Sequence, residues 1–160
     1  MLALPIVVGI DGGLASIAAL RAAMREAELR QTEILAITCW PADGRRDDSG
    51  PVACDSHEQA AKILEHVIVE AAHHDQSHAR IVREVSQSYA GPTLVAAARN
   101  AGLLVLGSTD RGPGTRHSTH HTVEHCLRYS AAPVLVVPWT VAGLDERDIE
   151  MDLRQASTAG

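Results

Sequence analysis

Residues 103–138, LLVLGSTDRGPGTRHSTHHTVEHCLRYSAAPVLVVP, decide how this chain is read. An apolar run gives way to a glycine-rich stretch, then to an amphipathic one, then to a second apolar run. That is the strand, loop, helix, strand layout with which α/β proteins hold a phosphate at a helix N-terminus. Where such a loop favours small residues, this one carries Asp110 and the pair His120 and His121. Whether a nucleotide fits turns on those side chains.

Working outward, the same alternation repeats along the chain. Pro5 to Ile10 (PIVVGI) is a continuous apolar run stopping at Asp11-Gly12-Gly13, as expected of a strand buried on both faces. Ser16 is placed to cap a helix whose apolar stripe is Ala18, Ala19, Leu20, Ala22, Ala23 and Ala27. Glu33 to Trp40 reads as a second buried strand, and residues 41–52, with Pro, Gly, Arg and Asp, as a loop. Ser56 and Gln59 form a capping box for a helix to about His74, with Ile63, Leu64, Val67, Ile68 and Ala71 on its buried face. Ala79 to Val85 is a more polar third strand, closer to a sheet edge. Pro92 suits the first turn of a short helix over Thr93 to Asn100. Leu103 to Leu106 and Val134 to Val137 complete five strands, the last bracketed by Pro133 and Pro138.

Strands alternating with helices require crossover connections and so a parallel sheet with helices on both faces. A doubly wound sheet places its ligand beyond the carboxyl ends of the strands, where strand order reverses. With the first and fourth strands as neighbours, the loops after Ile10 and Leu106 form the site.

Composition narrows the function. The chain has 160 residues, most simply one domain over residues 1–140 followed by a polar, acidic tail over 141–160. There is no Phe, with two Trp and two Tyr, so the core is Ala, Val, Leu and Ile, and no stacking platform for single-stranded nucleic acid is available. A net charge of −6 disfavours wide contact with a phosphate backbone. Cys39, Cys54 and Cys126 are widely spaced and fit neither a disulfide framework nor a four-cysteine zinc site, as expected in a reducing cytoplasm. No stretch reaches the roughly 20 apolar residues of a membrane span, so the expectation is a soluble, cytoplasmic protein.

IVVGIDGG followed by Ser and AAL, together with VLGS and VEHCLRYSAAPVLVV near the end, resembles the universal stress protein family. The resemblance runs from about Pro5 to Pro138. It implies a five-stranded parallel sheet of order 3-2-1-4-5, a Rossmann-like fold of the adenine nucleotide alpha hydrolase type. It also implies a homodimer paired through the last strand, Pro133 to Pro138, and in one subclass binding of ATP or AMP. The family's aspartate near ribose and adenine corresponds to Asp11, and its backbone contact to adenine corresponds to Cys39. Its nucleotide motif, G-x2-G-x9-G-[ST], falls on Gly107, Asp110, His120 and His121, so the spacing is kept and one of the four residue types survives. The candidate binding residues are thus Gly9, Asp11, Gly12, Cys39, Gly107, Ser108, Asp110, Arg111, His120, His121 and Thr122.

The altered loop weighs against ATP held in the family's manner. Asp110 brings a carboxylate toward the phosphates, and two unit charges 4 Å apart repel by about 1 kcal/mol in water and several times that near a protein surface. Arg111, Arg116, His117 and His121 leave room for a smaller or differently placed anion. The leading expectation is a non-enzymatic regulatory or binding module with no resident cofactor, its loop empty of nucleotide or holding another anion. The alternative is an ATP- or AMP-dependent switch with slow turnover. A third reading takes His121-Thr122-Val123-Glu124-His125 as H-x-x-E-H, with His121 and His125 on one helix face and His117 as a further ligand. No metal is assigned, because Glu124 and His125 sit where the family often carries Glu-His. No pair of residues is arranged as general acid and base.

Overall fold

The computed structural model describes residues 3–41, 54–73, 77–109 and 119–139, with the backbone alone at Thr109, Thr119 and His120. The loop expected after Trp40, His74, Asp110, Arg111, Arg116, His117 and the acidic tail lie outside the described residues. Five strands alternate with four helices: β1 (Ile6–Gly9), α1 (Leu14–Arg30), β2 (Ile34–Cys39), α2 (His57–His73), β3 (Ile81–Ser86), α3 (Ala90–Ala98), β4 (Leu103–Thr109), α4 (Thr119–Tyr129) and β5 (Val134–Trp139). The sheet order is β3-β2-β1-β4-β5, parallel at every seam.

The strand side chains alternate between two cores. Ile6, Val8, Ile34, Ala36, Leu103 and Val105 pack against Leu20, Ala23, Leu64 and Val67, which places α1 and α2 on one face. Val7, Ile37, Leu104 and Leu106 pack against Leu94, Ala98 and Cys126, which places α3 and α4 on the other. Burying an aliphatic side chain of this size contributes about 1.5–3 kcal/mol, so these two layers carry most of the stability. The edges differ as the sequence predicts. Arg83 and Glu84 on β3 are exposed, and Arg83 pairs with Glu65 of α2.

Several boundaries move, each for a local reason. Helix α1 starts at Leu14 with Gly13 as its N-cap, so Ser16 is not the cap; it is buried in the first turn, its hydroxyl committed to Asp11. Ala18 and Ala22 are half-buried, while Met24 joins the core in the stripe instead. The Ser56 hydroxyl does accept the Gln59 N–H at 3.2 Å, but Gln59 Oε1 reaches back to the Asp55 N–H at 2.8 Å. Helix α3 begins at Ala90, three residues early, with Pro92 still in its first turn. Strand β4 continues through Gly107 and Ser108 because β5 stays in register beside it, with Gly107 opposite Val137 and Ser108 opposite Pro138. Pro138 therefore lies inside β5 rather than ending it, which an edge strand tolerates.

Candidate functional site at the carboxyl end of the sheet

Helices α1 and α4, which follow the neighbouring strands β1 and β4, lie on opposite faces of the sheet, the arrangement that places a ligand crevice at the carboxyl ends of those strands. Asp11 stands at its rim. Its Oδ1 accepts the Gly13 N–H at 2.8 Å and the Ser16 hydroxyl, while the Ser16 oxygen accepts the Asp11 N–H at 3.0 Å. Oδ2 takes neither bond. The turn that allows this passes through Gly12 at φ 88°, a left-handed conformation that favours glycine. The carboxylate is thus held in one orientation at the foot of α1.

Gly107 supplies the other wall. A Cβ there would lie 2.8 Å from Ala15 Cβ and closer still to the Ala15 carbonyl, so only glycine lets β4 approach the first turn of α1. Gly9 has a comparable role on the opposite face, where a Cβ would meet Leu94 and Leu106 at 2.9–3.0 Å. Both glycines are therefore packing residues. Ser108 is half-buried and follows Gly107 on the strand.

Cys39 ends β2. Ile34 and Trp40 donate backbone N–H groups to Arg80 and Ser86 across the β3 seam, whereas Ile37 accepts from Ile10 across the β1 seam. By that alternation the Cys39 N–H and C=O project toward β1, past the bond from Ile10 to Ile37. Its side chain points to the α3 face, where Ser88 donates to Sγ at 3.9 Å. Burial pushes the Cys39 thiol up, the nearby Glu84 adds to this, and the Ser88 and Thr93 hydroxyls oppose it. Ser86, Ser88 and Thr93 form a connected group at 2.7 and 2.6 Å. The sequence reading missed these three; two serines and a threonine after a polar strand carry no distinctive pattern. Near the same end of the sheet, Thr38 Oγ1 and the indole nitrogens of Trp40 and Trp139 are buried without a hydrogen-bond partner among the described residues.

The histidines separate. His121 is exposed and Thr122 half-buried in the first turn of α4. His125 packs between helices: a Cβ on Gly91 would lie 3.0 Å from its ring, and its centroid is 4.9 Å from that of Tyr129. Among the described residues no group of three His, Cys, Asp or Glu side chains is placed to hold a metal. Cys126 is fully buried, and desolvation pushes its thiol up to about 11. Among the described residues no helix is long and apolar enough to cross a membrane.

Comparison with known proteins agrees with the fold. The chain matches the Universal stress protein family over residues 4–138. No curated protein sequence matches it. Among solved structures it is similar to a universal stress protein in complex with cAMP, with 20% identity, a TM-score of 0.60, and 86% of this chain and 98% of the other covered. It is also similar to a universal stress protein from Archaeoglobus fulgidus, with 19% identity, a TM-score of 0.66 and coverage of 85% and 99%. A third, from the same organism in complex with dAMP, has 18% identity, a TM-score of 0.64 and coverage of 86% and 99%.

Proposed function

Because this chain belongs to the universal stress protein family, we propose that it is a non-catalytic regulatory module whose crevice takes a nucleoside monophosphate, gripped by base and sugar. The observation that carries this reading is the Asp11 carboxylate, pinned through Oδ1 by Gly13 and Ser16. Its Oδ2 is then oriented in advance to accept a ribose hydroxyl, which reduces the ordering cost of binding. The Cys39 N–H and C=O, facing β1, offer a donor and an acceptor to the edge of a base. The complexes of similar proteins with cAMP and dAMP favour a ligand with one phosphate and an adenine.

The sequence of the loop after β4 argues against a triphosphate. Asp110, His120 and His121 replace two glycines and a hydroxyl residue in the family's motif, and the carboxylate opposes each added phosphate charge. ATP thus gains nothing over AMP. We read binding rather than turnover as the output. The open outer edge of β5, with Val134 to Val137 all half-buried, suits pairing with a second copy across a two-fold axis. Mass spectrometry of ligand released from the purified protein tests the reading: an adenosine monophosphate supports it, and ATP as the retained species points to the nucleotide-dependent switch.

A further inference from the structure

The Ser86, Ser88 and Thr93 hydroxyls bear on which base the crevice selects. Each hydroxyl has one proton to donate. The Thr93 hydroxyl donates to the Tyr89 carbonyl at 2.9 Å. Its contact with Ser88 at 2.6 Å is then filled by the Ser88 proton, and the 2.7 Å contact between Ser88 and Ser86 by the Ser86 proton. If Ser88 turns instead to the Cys39 sulfur, 3.9 Å away, Thr93 donates to Ser88 and Ser86 must still be the donor in its own contact. In both arrangements the Ser86 oxygen has spent its proton and keeps open lone pairs. The remaining arrangement, with Ser88 donating to Ser86, forfeits the bonds to Tyr89 and Cys39 together.

Ser86 also stands at the carboxyl edge of the sheet, on the β3 side of Cys39. It is the register partner of Cys39 on the adjacent strand, one strand spacing (about 4.8 Å) further along the sheet's carboxyl edge. Its side chain shares the Cys39 face, as their common contact with Ser88 requires. It is half-buried, partly shielded from competing water.

We propose that Ser86 is a specificity-determining residue: a hydrogen-bond acceptor, locked in that role by Ser88 and Thr93, that selects a base carrying an amino group over one carrying a carbonyl at the same position. The inference rests on the nucleotide reading of the crevice. A carbonyl brought to Ser86 meets lone pairs, and an unmatched buried polar contact is disfavoured more strongly than a missing one.

Calorimetric titration of the full chain with AMP and with IMP, which carries a carbonyl in place of that amino group and a proton on the adjacent ring nitrogen, tests the assignment. The wild-type protein binds AMP about tenfold more tightly than IMP, as expected for one matched against one mismatched hydrogen bond. Ser86→Ala lowers the preference to about threefold or less, what remains being read by the Cys39 N–H and C=O, and Ser86→Thr, which keeps the hydroxyl, retains it in full. Ser88→Ala frees the Ser86 proton to serve a carbonyl, so IMP binding improves and the ratio falls to about threefold or less. A preference for AMP that persists undiminished in both alanine variants overturns the role of Ser86 and leaves the nucleotide site standing. Absence of binding by either nucleotide to the wild-type protein overturns the nucleotide reading and this inference with it.

Discussion

Gly107 of β4 lies against the backbone of Ala15 in the first turn of α1, at a distance no Cβ would permit. This contact joins the crevice's two walls, so its loss has consequences for both stability and binding. In Gly107→Ala the added methyl has only rigid backbone to push against, and overpacking of this kind costs about 1–3 kcal/mol. Gly102→Ala is the control, since a Cβ there meets Leu4 at an ordinary 3.4 Å, and its cost stays within about 0.5 kcal/mol. Urea unfolding midpoints at constant slope separate the two.

Ser16→Ala removes the hydroxyl that both receives the Asp11 N–H and donates to its carboxylate. Loss of these bonds from a buried residue destabilises the fold by about 1–2 kcal/mol. It also frees the Asp11 side chain to rotate, so nucleotide affinity falls although Ser16 need not touch the ligand. Ser56→Ala, which loses only the cap to Gln59, costs about 1 kcal/mol and leaves binding unchanged.

The pH dependence follows from Cys126. Its folded-state value, near 11, lies above the ordinary thiol value of 9.0, so folding favours the protonated form. That contribution is fully present below about 9 and is lost as pH rises toward 11. The unfolding free energy of the wild-type protein is therefore expected to fall more steeply between those values than that of Cys126→Ala, measured in parallel to cancel other titrating groups. Equal slopes would remove desolvation of this thiol as the cause.

A charge on the outer strand tests assembly. Val136 is half-buried on β5, whose outer edge no other strand covers among the described residues. Val136→Lys is expected to shift the protein from dimer to monomer in analytical ultracentrifugation while leaving its far-ultraviolet dichroism unchanged. A wild-type protein already monomeric at the concentrations used contradicts the pairing.

The five strands, the helices on both faces and the polar edge at β3 were legible in the apolar runs and their spacing, whereas the strand order came from the resemblance to the universal stress protein family. Asp11 and Cys39 were singled out by their correspondence to the family's binding positions, and the structure places each at the carboxyl end of a buried strand. The cap was misplaced by three residues, at Ser16 instead of Gly13: Gly13 has no side chain to mark it as a cap, and the serine's true partner is the aspartate five residues before it. Gly107 read as a loop residue, since its need for a bare Cα arises from Ala15, distant in sequence. Ser86, Ser88 and Thr93 were invisible for the same reason. Their grouping depends on the turn between β3 and α3 folding back toward Cys39, which no local pattern records.

The account stands on the claim that base and sugar, rather than a triphosphate cradle, hold the ligand. Isothermal titration of the full chain with AMP and ATP, repeated on Asp11→Ala, measures this directly. The predicted result is AMP binding that Asp11→Ala weakens at least about tenfold, equivalent to one charge-assisted hydrogen bond, with ATP bound no more tightly than AMP. Binding of ATP tenfold tighter than AMP, or AMP binding indifferent to Asp11→Ala, would contradict it.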